Sequence, residues 1–230
     1  ARQLGVPLPD ICGRLDRDTE LARRLAGHLT VDETYFLRQP EHFDLVLDWI
    51  GHALAQAPSR RISVWSAGCA HGEEPYSVAI LISERLPWAR PSVSIFGSDL
   101  NQAAVEQARE GRYSGWSMRD TPEWFRARYF RPTSGGWQLD AAIRGMVEFK
   151  HLDIVEHLTH LPDRSVDLVF FRNVAIYLQP LALERIFAEL SRVLAADGLL
   201  LLGSSDPPPS RQLFQLLSGS AASAYRAVCP

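Results

Sequence analysis

Apolar and polar positions alternate along the chain with two distinct periods. Short runs of apolar residues predict buried strands at 61–66, 93–97, 147–152, 166–171, 199–202 and 224–228. Between these runs, apolar residues recur every three or four positions and predict amphipathic helices over 41–54, 74–86, 101–109 and 180–194. Asp197-Gly198 is expected to end the last of these helices, and a short helix is expected after three consecutive prolines. Strands that alternate with helices predict the α/β class, with a mostly parallel sheet and helices on both faces.

Turn residues and composition divide the chain further. We predict a short N-terminal helical segment over 1–35 and a main domain over 36–230. Within the main domain, two consecutive glycines predict the turn of a small inserted β-subdomain at 128–150. Because the chain starts with Ala1 rather than methionine, it is expected to begin inside a longer protein with further flanking domains.

Composition and charge narrow the functional class. The net charge of −3 over 230 residues gives no basic field, so a nucleic-acid partner is not expected. The chain has an odd number of cysteines, without metal-ligand spacing: Cys12, Cys69 and Cys229. This pattern favours a reducing compartment and gives no reason to expect a metal site. The longest apolar runs are too short to cross a bilayer, and the N-terminus lacks the apolar core of a signal peptide. These features predict a cytoplasmic protein without direct membrane insertion.

A glycine loop joins the first predicted strand to the helix that follows it. Gly68 and Gly72 lie between the strand at 61–66 and the helix at 74–86. A strand, a glycine loop and a helix place a polar or anionic ligand at a helix N-terminus. The spacing is not the G-x-G-x-x-G of dinucleotide-binding proteins, and the loop has no Walker lysine. It resembles the first loop of S-adenosylmethionine (SAM) methyltransferases, which makes Gly68 a candidate cofactor-binding residue.

Acidic residues follow the glycine loop and the second strand. Asp99 ends that strand, at the edge where open α/β sheets bind ligands, and its carboxylate is predicted to bind both hydroxyls of a ribose. The alternative is that Asp99 caps the helix that starts near Asn101. Glu73 and Glu74 start the preceding helix, where the helix dipole favours carboxylates whatever their function. The functional alternative is that one of them binds the ammonium group of a ligand's amino-acid part.

Polar residues also follow the fourth strand. Arg172 and Asn173 are costly to leave unpaired beside a buried strand, so they are predicted to border a cleft. Arg172 is a candidate clamp for a carboxylate, and Tyr177 is a candidate hydrogen-bond donor to one. The alternative for Arg172 is a structural ion pair with an acid such as Asp167.

Four motifs occur in sequence order with appropriate gaps. They are Thr-Tyr-Phe-Leu-Arg at 34–38, Trp-Ser-Ala-Gly-Cys at 65–69 with Gly-Glu-Glu-Pro-Tyr-Ser at 72–77, Asp99, and Arg-Asn-Val-Ala-Ile-Tyr at 172–177. Together they resemble the CheR family of chemotaxis-receptor glutamate methyltransferases. The resemblance implies a small N-terminal helical domain, a SAM-dependent Rossmann-like domain and an inserted β-subdomain that docks the receptor.

The resemblance also implies a reaction and a set of site residues. The implied reaction is methyl transfer from SAM to glutamate side chains of a chemoreceptor-like signalling protein, which yields methyl esters and S-adenosylhomocysteine. A glutamate carboxylate has an ordinary pKa of about 4.3 and is ionised at neutral pH, so no general base is required. Arg38 and Tyr177 form the implied catalytic pair, with Arg172 as a helper. The implied cofactor contacts are Asp32, Thr34, Arg38, Glu73, Asp99, Asp153, Ile154, Asn173 and Val174.

The chain departs from the family pattern at several positions. Its N-terminal segment is shorter than the family's helical domain. Asp32 and Asp153 stand where the family often has asparagine, and Gly-Ser-Ser-Asp at 203–206 replaces Gly-His-Ser-Glu. These departures support two alternative hypotheses: a methyltransferase for another acceptor, and a SAM-binding sensor or interaction module with little turnover.

Overall fold

The computed structural model of the chain describes residues 33–217 and 222–228, together with positions 13 and 18. Its strands are β1 (Ile62–Ala67), β2 (Val93–Asp99), β3 (Arg112–Tyr113), β4 (Phe130–Thr133), β5 (Gly136–Leu139), β6 (Val147–His151), β7 (Val166–Phe170), β8 (Leu194–Leu201), β9 (Phe214–Leu216) and β10 (Ala224–Ala227). Its α-helices are α1 (Pro40–Gln56), α2 (Glu73–Arg85), α3 (Gln102–Glu110), α4 (Glu123–Tyr129), α5 (Ala141–Arg144), α6 (Ile154–His160) and α7 (Pro180–Val193). Short 3₁₀ helices span Pro87–Ser92 and Ala175–Tyr177. Most of the segment predicted over 1–35, including Asp32, lies outside the described residues.

A seven-stranded sheet in the order β6-β2-β1-β7-β8-β10-β9 forms the centre of the molecule. The five strands from β6 to β8 are parallel, whereas β10 is antiparallel to both of its neighbours. From β1 the chain builds outwards through β2 to β6, and it then crosses to β7 on the other side of β1. The strand order therefore reverses between β1 and β7, and open α/β sheets bind ligands at the carboxyl ends of strands at such a point. The predicted fold class is confirmed.

Helices cover both faces of this sheet, because successive side chains of each strand point to opposite faces. Val64 of β1 lies in one buried cluster with Ile50 of α1 and Ile80 of α2. Its neighbour Trp65 lies in the other cluster, with Leu190 of α7. The apolar stripe of each long helix is thus buried against the sheet, as its sequence period predicts. None of the helices in the described ranges is long and apolar enough to span a bilayer.

A three-stranded antiparallel sheet, in the order β3-β5-β4, is inserted between α3 and β6. The predicted hairpin is present, and Thr133 of β4 pairs with Gly136 of β5 across a two-residue turn. The small sheet begins with β3, before the predicted unit at 128–150, and β6 inside that range belongs to the main sheet. The sequence does not predict α4, because the aromatic residues around it follow no regular spacing. In the structure, its side chains Phe125 and Tyr129 are buried.

The last long helix ends earlier than the sequence predicts. α7 ends at Val193 and β8 follows at once, so the prediction that Asp197-Gly198 ends the helix is wrong. These two residues lie inside β8, where its register with β7 is irregular. Tertiary contacts hold Asp197 there, since its carboxylate pairs with Arg60 and its carbonyl accepts a hydrogen bond from Trp49 Nε1. The short helix predicted after the three prolines is also wrong for the described residues up to 217, which form a turn and β9.

His42 of α1 makes the stability of this fold depend on pH. Burial, assisted by the positive charge of Arg172, lowers the pKa of His42 to about 3 from an ordinary value of 6.5. At a pH between 3 and 6.5, His42 is protonated in the unfolded chain and neutral in the folded protein. Stability from this group is therefore complete above pH 6.5 and lost as the pH falls. We expect its contribution to the free energy of unfolding to fall by about 1.4 kcal/mol per pH unit below 6.5, until the pH nears 3.

Urea denaturation at pH 7, 6 and 5 measures this dependence. The variant His42→Leu removes the titrating group and should lose less stability over that range than the wild type. His52 is exposed on the same helix, so His52→Leu is a matched control that should retain the wild-type dependence. An unchanged pH dependence in His42→Leu would contradict the prediction.

Candidate SAM-binding site

The glycine loop between β1 and α2 is bent by residues in the left-handed backbone region. Gly68 and Gly72 have φ angles of 82° and 87°, which glycine adopts without steric cost. The N–H groups of Gly68 and Cys69 both donate to the Ser98 carbonyl, at 2.8 and 2.9 Å. A side chain added at Gly68 would collide with Val174. The loop is therefore attached to the end of β2 and packed against the segment that follows β7.

Asp99 ends β2, and its carboxylate is held by two backbone groups. Oδ2 accepts a hydrogen bond from the Ala70 N–H and Oδ1 accepts one from the Asn101 N–H, both at 2.8 Å. The alternative that Asp99 caps α3 is wrong, because the side chain of Asn101 accepts from two N–H groups in the first turn. A carboxylate has about four lone-pair sites, so Asp99 can also accept hydrogen bonds from ligand hydroxyls in this fixed orientation.

A cavity of about 250 Å³ opens at the carboxyl ends of the central strands, beside Asp99. Seven predicted site residues border it: Gly68, Asp99, Asp153, Ile154, Asn173, Val174 and Tyr177. Leu100 and Leu152 add apolar wall. A fixed carboxylate beside apolar walls suits a nucleoside, whose ribose is polar and whose base has an apolar face. The cavity therefore fits the adenosine part of SAM.

A second cavity of about 50 Å³ adjoins the first, and the two share Gly68 and two other lining residues. Thr34, Arg38 and Arg172 border the smaller cavity. The implied catalytic residues Arg38 and Tyr177 therefore border two adjoining cavities that share part of the glycine loop.

Arg172 is buried beneath the smaller cavity. Its Nη1 donates to Glu74 Oε2 at 3.1 Å, and its Nη2 donates to the Arg38 carbonyl. The alternative pairing with Asp167 is wrong, because that carboxylate pairs with Arg60. Burial lowers the pKa of the Arg172 guanidinium and raises the pKa of the Glu74 carboxyl, while the charge of each partner opposes the other's shift. Arg172 thus fixes the backbone that carries Arg38.

Two further predicted acids serve local structure. Glu73 is buried, and its Oε1 accepts a hydrogen bond from Ser117 Oγ at 2.9 Å. Glu74 borders the smaller cavity, whereas Glu73 borders neither of the two. Asp153 caps α6, where its Oδ1 accepts from two N–H groups of the first turn. The cofactor contact of Glu73 stays a prediction.

The segment 33–39, which carries Thr34 and Arg38, is anchored by an aromatic side chain. Phe36 is fully buried, and its N–H donates to the Ser117 carbonyl at 3.1 Å. Its ring packs edge-on or tilted against Tyr113, Phe125 and Phe130. Because these rings belong to the insert, the insert and the site depend on each other for their positions.

Three residues that the motifs do not identify complete the site. Ser117 links Glu73 to the segment 33–39, as described above. The guanidinium of Arg119 lies 3.8 Å from the centre of the Tyr35 ring. The carboxylate of Asp206 accepts a hydrogen bond from the Asn173 N–H at 2.5 Å. No local pattern marks Ser117 or Arg119, whereas Asp206 lies in a segment whose departure from the family pattern is visible in the sequence.

Comparison with known proteins agrees with this geometry. The family model described as "CheR methyltransferase, SAM binding domain" matches residues 32–222. The chain is 30% identical over 196 residues to chemotaxis protein methyltransferase 2 of Pseudomonas aeruginosa, covering 84% of this chain and 69% of that protein. It is 32% identical over 182 residues to the chemotaxis protein methyltransferase of Salmonella typhimurium, covering 77% and 61%. It is also 30% identical over 200 residues to the probable biofilm formation methyltransferase WspC of Pseudomonas putida, covering 86% and 47%.

The fold and the site define the SAM-binding domain of a methyltransferase. The chain belongs to the CheR methyltransferase family, and S-adenosylmethionine is the cofactor of this domain. The chain spans between about half and just over two thirds of the length of the three relatives.

Replacing Asp99 by asparagine should weaken cofactor binding by about ten- to a hundredfold, since hydrogen bonds to charged groups contribute about 1.5–3 kcal/mol. The amide would lose the negative charge and turn an N–H group towards the N–H of Ala70 or Asn101. Calorimetric titration with S-adenosylhomocysteine measures the effect. Asp140→Asn, at the N-terminus of α5 in the insert, is the matched control, because asparagine caps helices as well as aspartate. Wild-type affinity in Asp99→Asn would contradict the ribose role.

The variant Gly68→Ala should be less stable and should bind the cofactor poorly. The left-handed backbone costs a residue with a Cβ atom about 1–2 kcal/mol, and the new methyl group would displace Val174 from the cavity wall. Thermal unfolding and the same titration measure both effects. Gly51→Ala is the control, because a methyl group there meets open space on α1 and alanine favours the helix. A Gly68→Ala protein as stable as the wild type would show that the loop is not tightly packed.

Proposed function

We propose that the chain transfers the methyl group of SAM to glutamate side-chain carboxylates of a chemoreceptor-like signalling protein, with methyl esters and S-adenosylhomocysteine as products. The names of the relatives support this class of substrate, since two are chemotaxis protein methyltransferases. The third is a probable biofilm formation methyltransferase.

The observation that carries the proposal is the lack of an available general base in the described part of the site. No histidine or lysine borders either cavity among the described residues. Each bordering carboxylate has a partner in the protein: Asp99 and Asp153 accept backbone N–H groups, Glu74 pairs with Arg172, and Glu33 faces Arg119. Burial raises the pKa of the Cys69 thiol well above its ordinary value, so it is not a thiolate. Such a site suits an acceptor that is already ionised, as a glutamate carboxylate is at neutral pH.

The residues that border the two cavities can hold the cofactor. Asp99 would accept the ribose hydroxyls, and Ile154 and Val174 would contact the base. Thr34, Glu73, Asp153 and Asn173 are the further cofactor contacts that the family motif assigns. When bound, SAM supplies a methyl group on a sulfonium, which needs only a nucleophile placed in line with the bond that breaks.

Arg38 and Tyr177 would position the acceptor carboxylate. The guanidinium of Arg38 and the hydroxyl of Tyr177 would each donate a charge-assisted hydrogen bond to this carboxylate. A single arginine contact leaves the carboxylate more nucleophilic than a full pair of ionic bonds would. Arg172 would not contact the acceptor. It supports Arg38 indirectly, because it donates to the Arg38 carbonyl and to Glu74.

The exposure of Tyr177 indicates how the acceptor approaches. Its side chain is 57% exposed at the mouth of the larger cavity, and the neighbouring Ile176 is 43% exposed. A carboxylate that projects from the surface of another protein can reach Tyr177 without entering a deep pocket. The geometry therefore favours a macromolecular acceptor.

The variant Tyr177→Phe should lower kcat by about tenfold, because the acceptor carboxylate would no longer be held in line with the methyl group. The affinity for S-adenosylhomocysteine should stay within about twofold of the wild type. Its exposed ring contributes little to the core, so the thermal stability should not change. Fully retained turnover in Tyr177→Phe would remove this residue from the proposed site.

The chemistry itself is tested with methyl-tritiated SAM and a lysate of the source cells. We expect labelled protein that releases volatile methanol in mild alkali, because carboxyl methyl esters hydrolyse there. Label that survives alkali would indicate another nucleophile. Cofactor binding without any labelled acceptor would favour the SAM-binding sensor instead.

A further inference from the structure

The carboxylate of Asp206 binds the loop that follows β7 at several points. Oδ2 accepts hydrogen bonds from the Asn173 N–H at 2.5 Å and from the Gly203 N–H at 2.8 Å. Oδ1 lies 3.4 Å from the Ile176 N–H, which donates to it. One side chain after β8 therefore holds both ends of the loop that runs from Asn173 to Ile176.

Asn173 turns the backbone of this loop into the left-handed region. Asn173 has a φ of 59°, which asparagine adopts more readily than most residues other than glycine. Gly203, in the segment after β8, leaves room for the Asn173 side chain, because a Cβ atom at position 203 would lie 2.8 Å from Asn173 Nδ2. The two segments are thus fitted closely to each other, and Asp206 provides the charged contact between them.

The loop also carries the residues that face the cofactor and the acceptor. Asn173 and Val174 border the larger cavity, and Tyr177 stands at its mouth. Because the Tyr177 side chain is largely exposed, its location depends on the backbone beneath it. The Tyr177 N–H bonds to the Val174 carbonyl at 3.1 Å, within the segment that Asp206 holds.

We propose that Asp206 is a positioning residue, which orients the loop 173–177 so that Asn173 and Val174 face the cofactor and Tyr177 faces the acceptor. Its role for Tyr177 rests on the proposed function, whereas its role for Asn173 and Val174 concerns cofactor binding alone. The Asp206 carboxylate accepts directly from the backbone of the loop, so no other side chain stands between them.

The test compares Asp206→Asn with the wild type in two measurements. Asparagine keeps one acceptor but turns an N–H group towards the donors of the loop, so the loop should shift. We expect the Kd for S-adenosylhomocysteine to rise by about threefold or more, and kcat for methyl transfer to fall by about tenfold. These changes are of the size that the loss of one hydrogen bond to a charged group produces. Unchanged values in both measurements would overturn the inference.

A double-mutant cycle separates positioning from general damage. In a Tyr177→Phe background, Asp206→Asn should reduce kcat by much less than in the wild type, because the group that it positions is already missing. The control Ile186→Val trims a buried side chain of α7 that borders neither cavity, and it should lower the melting temperature without changing kcat. Equal losses in both backgrounds with unchanged cofactor affinity would overturn the inference and leave the proposed function standing.

The two proposals fail in distinguishable ways. If Tyr177→Phe turns over normally while Asp206→Asn still weakens cofactor binding, the acceptor role of Tyr177 is wrong. The positioning of Asn173 and Val174 by Asp206 then stands on the binding measurement.

Discussion

The site depends on the carboxylate of Asp99, which joins the end of β2 to the two segments beside it. Its two oxygens accept N–H groups from Ala70, in the glycine loop, and from Asn101, at the start of α3. The Ser98 carbonyl receives two more N–H groups from the same loop. These bonds fix the loop where the strand order reverses, and the cavity exists because loop and strand are held together there. A ligand that bonds to Asp99 meets a group whose orientation is already set.

Buried charges organise the opposite wall of the site. Arg172 and Glu74 form an ion pair away from solvent, and removing one partner of such a pair leaves an uncompensated charge. The pair joins α2, the loop after β7 and the segment 33–39, because Arg172 also donates to the Arg38 carbonyl. The insert anchors the same segment through Phe36. Arg38 is therefore placed by contacts from three separate parts of the chain, which explains how a short irregular segment can present it accurately.

The sequence predicts most strands of the main sheet and the long helices well, because hydrophobic period and turn residues determine these features locally, whereas the strand order and its reversal between β1 and β7 come from the structure. It places Asp99 at the end of a strand, and seven of the predicted site residues border the larger cavity. It does not predict that Asp197-Gly198 lies within a strand, since contacts with Arg60 and Trp49 decide that. Nor does it reveal the partner of Arg172, or the contacts of Ser117 and Arg119, because residues far away in the sequence supply them.

We expect the cofactor to lie across the carboxyl ends of β1 and β2, with its reactive sulfur turned towards Arg38 and Tyr177. A crystal structure of the chain with S-adenosylhomocysteine tests this claim most directly. Both ribose hydroxyls should lie within hydrogen-bond distance of the Asp99 carboxylate, and the sulfur should lie at the junction of the two cavities. A ligand whose ribose does not contact Asp99, or whose sulfur faces away from Tyr177, would contradict it.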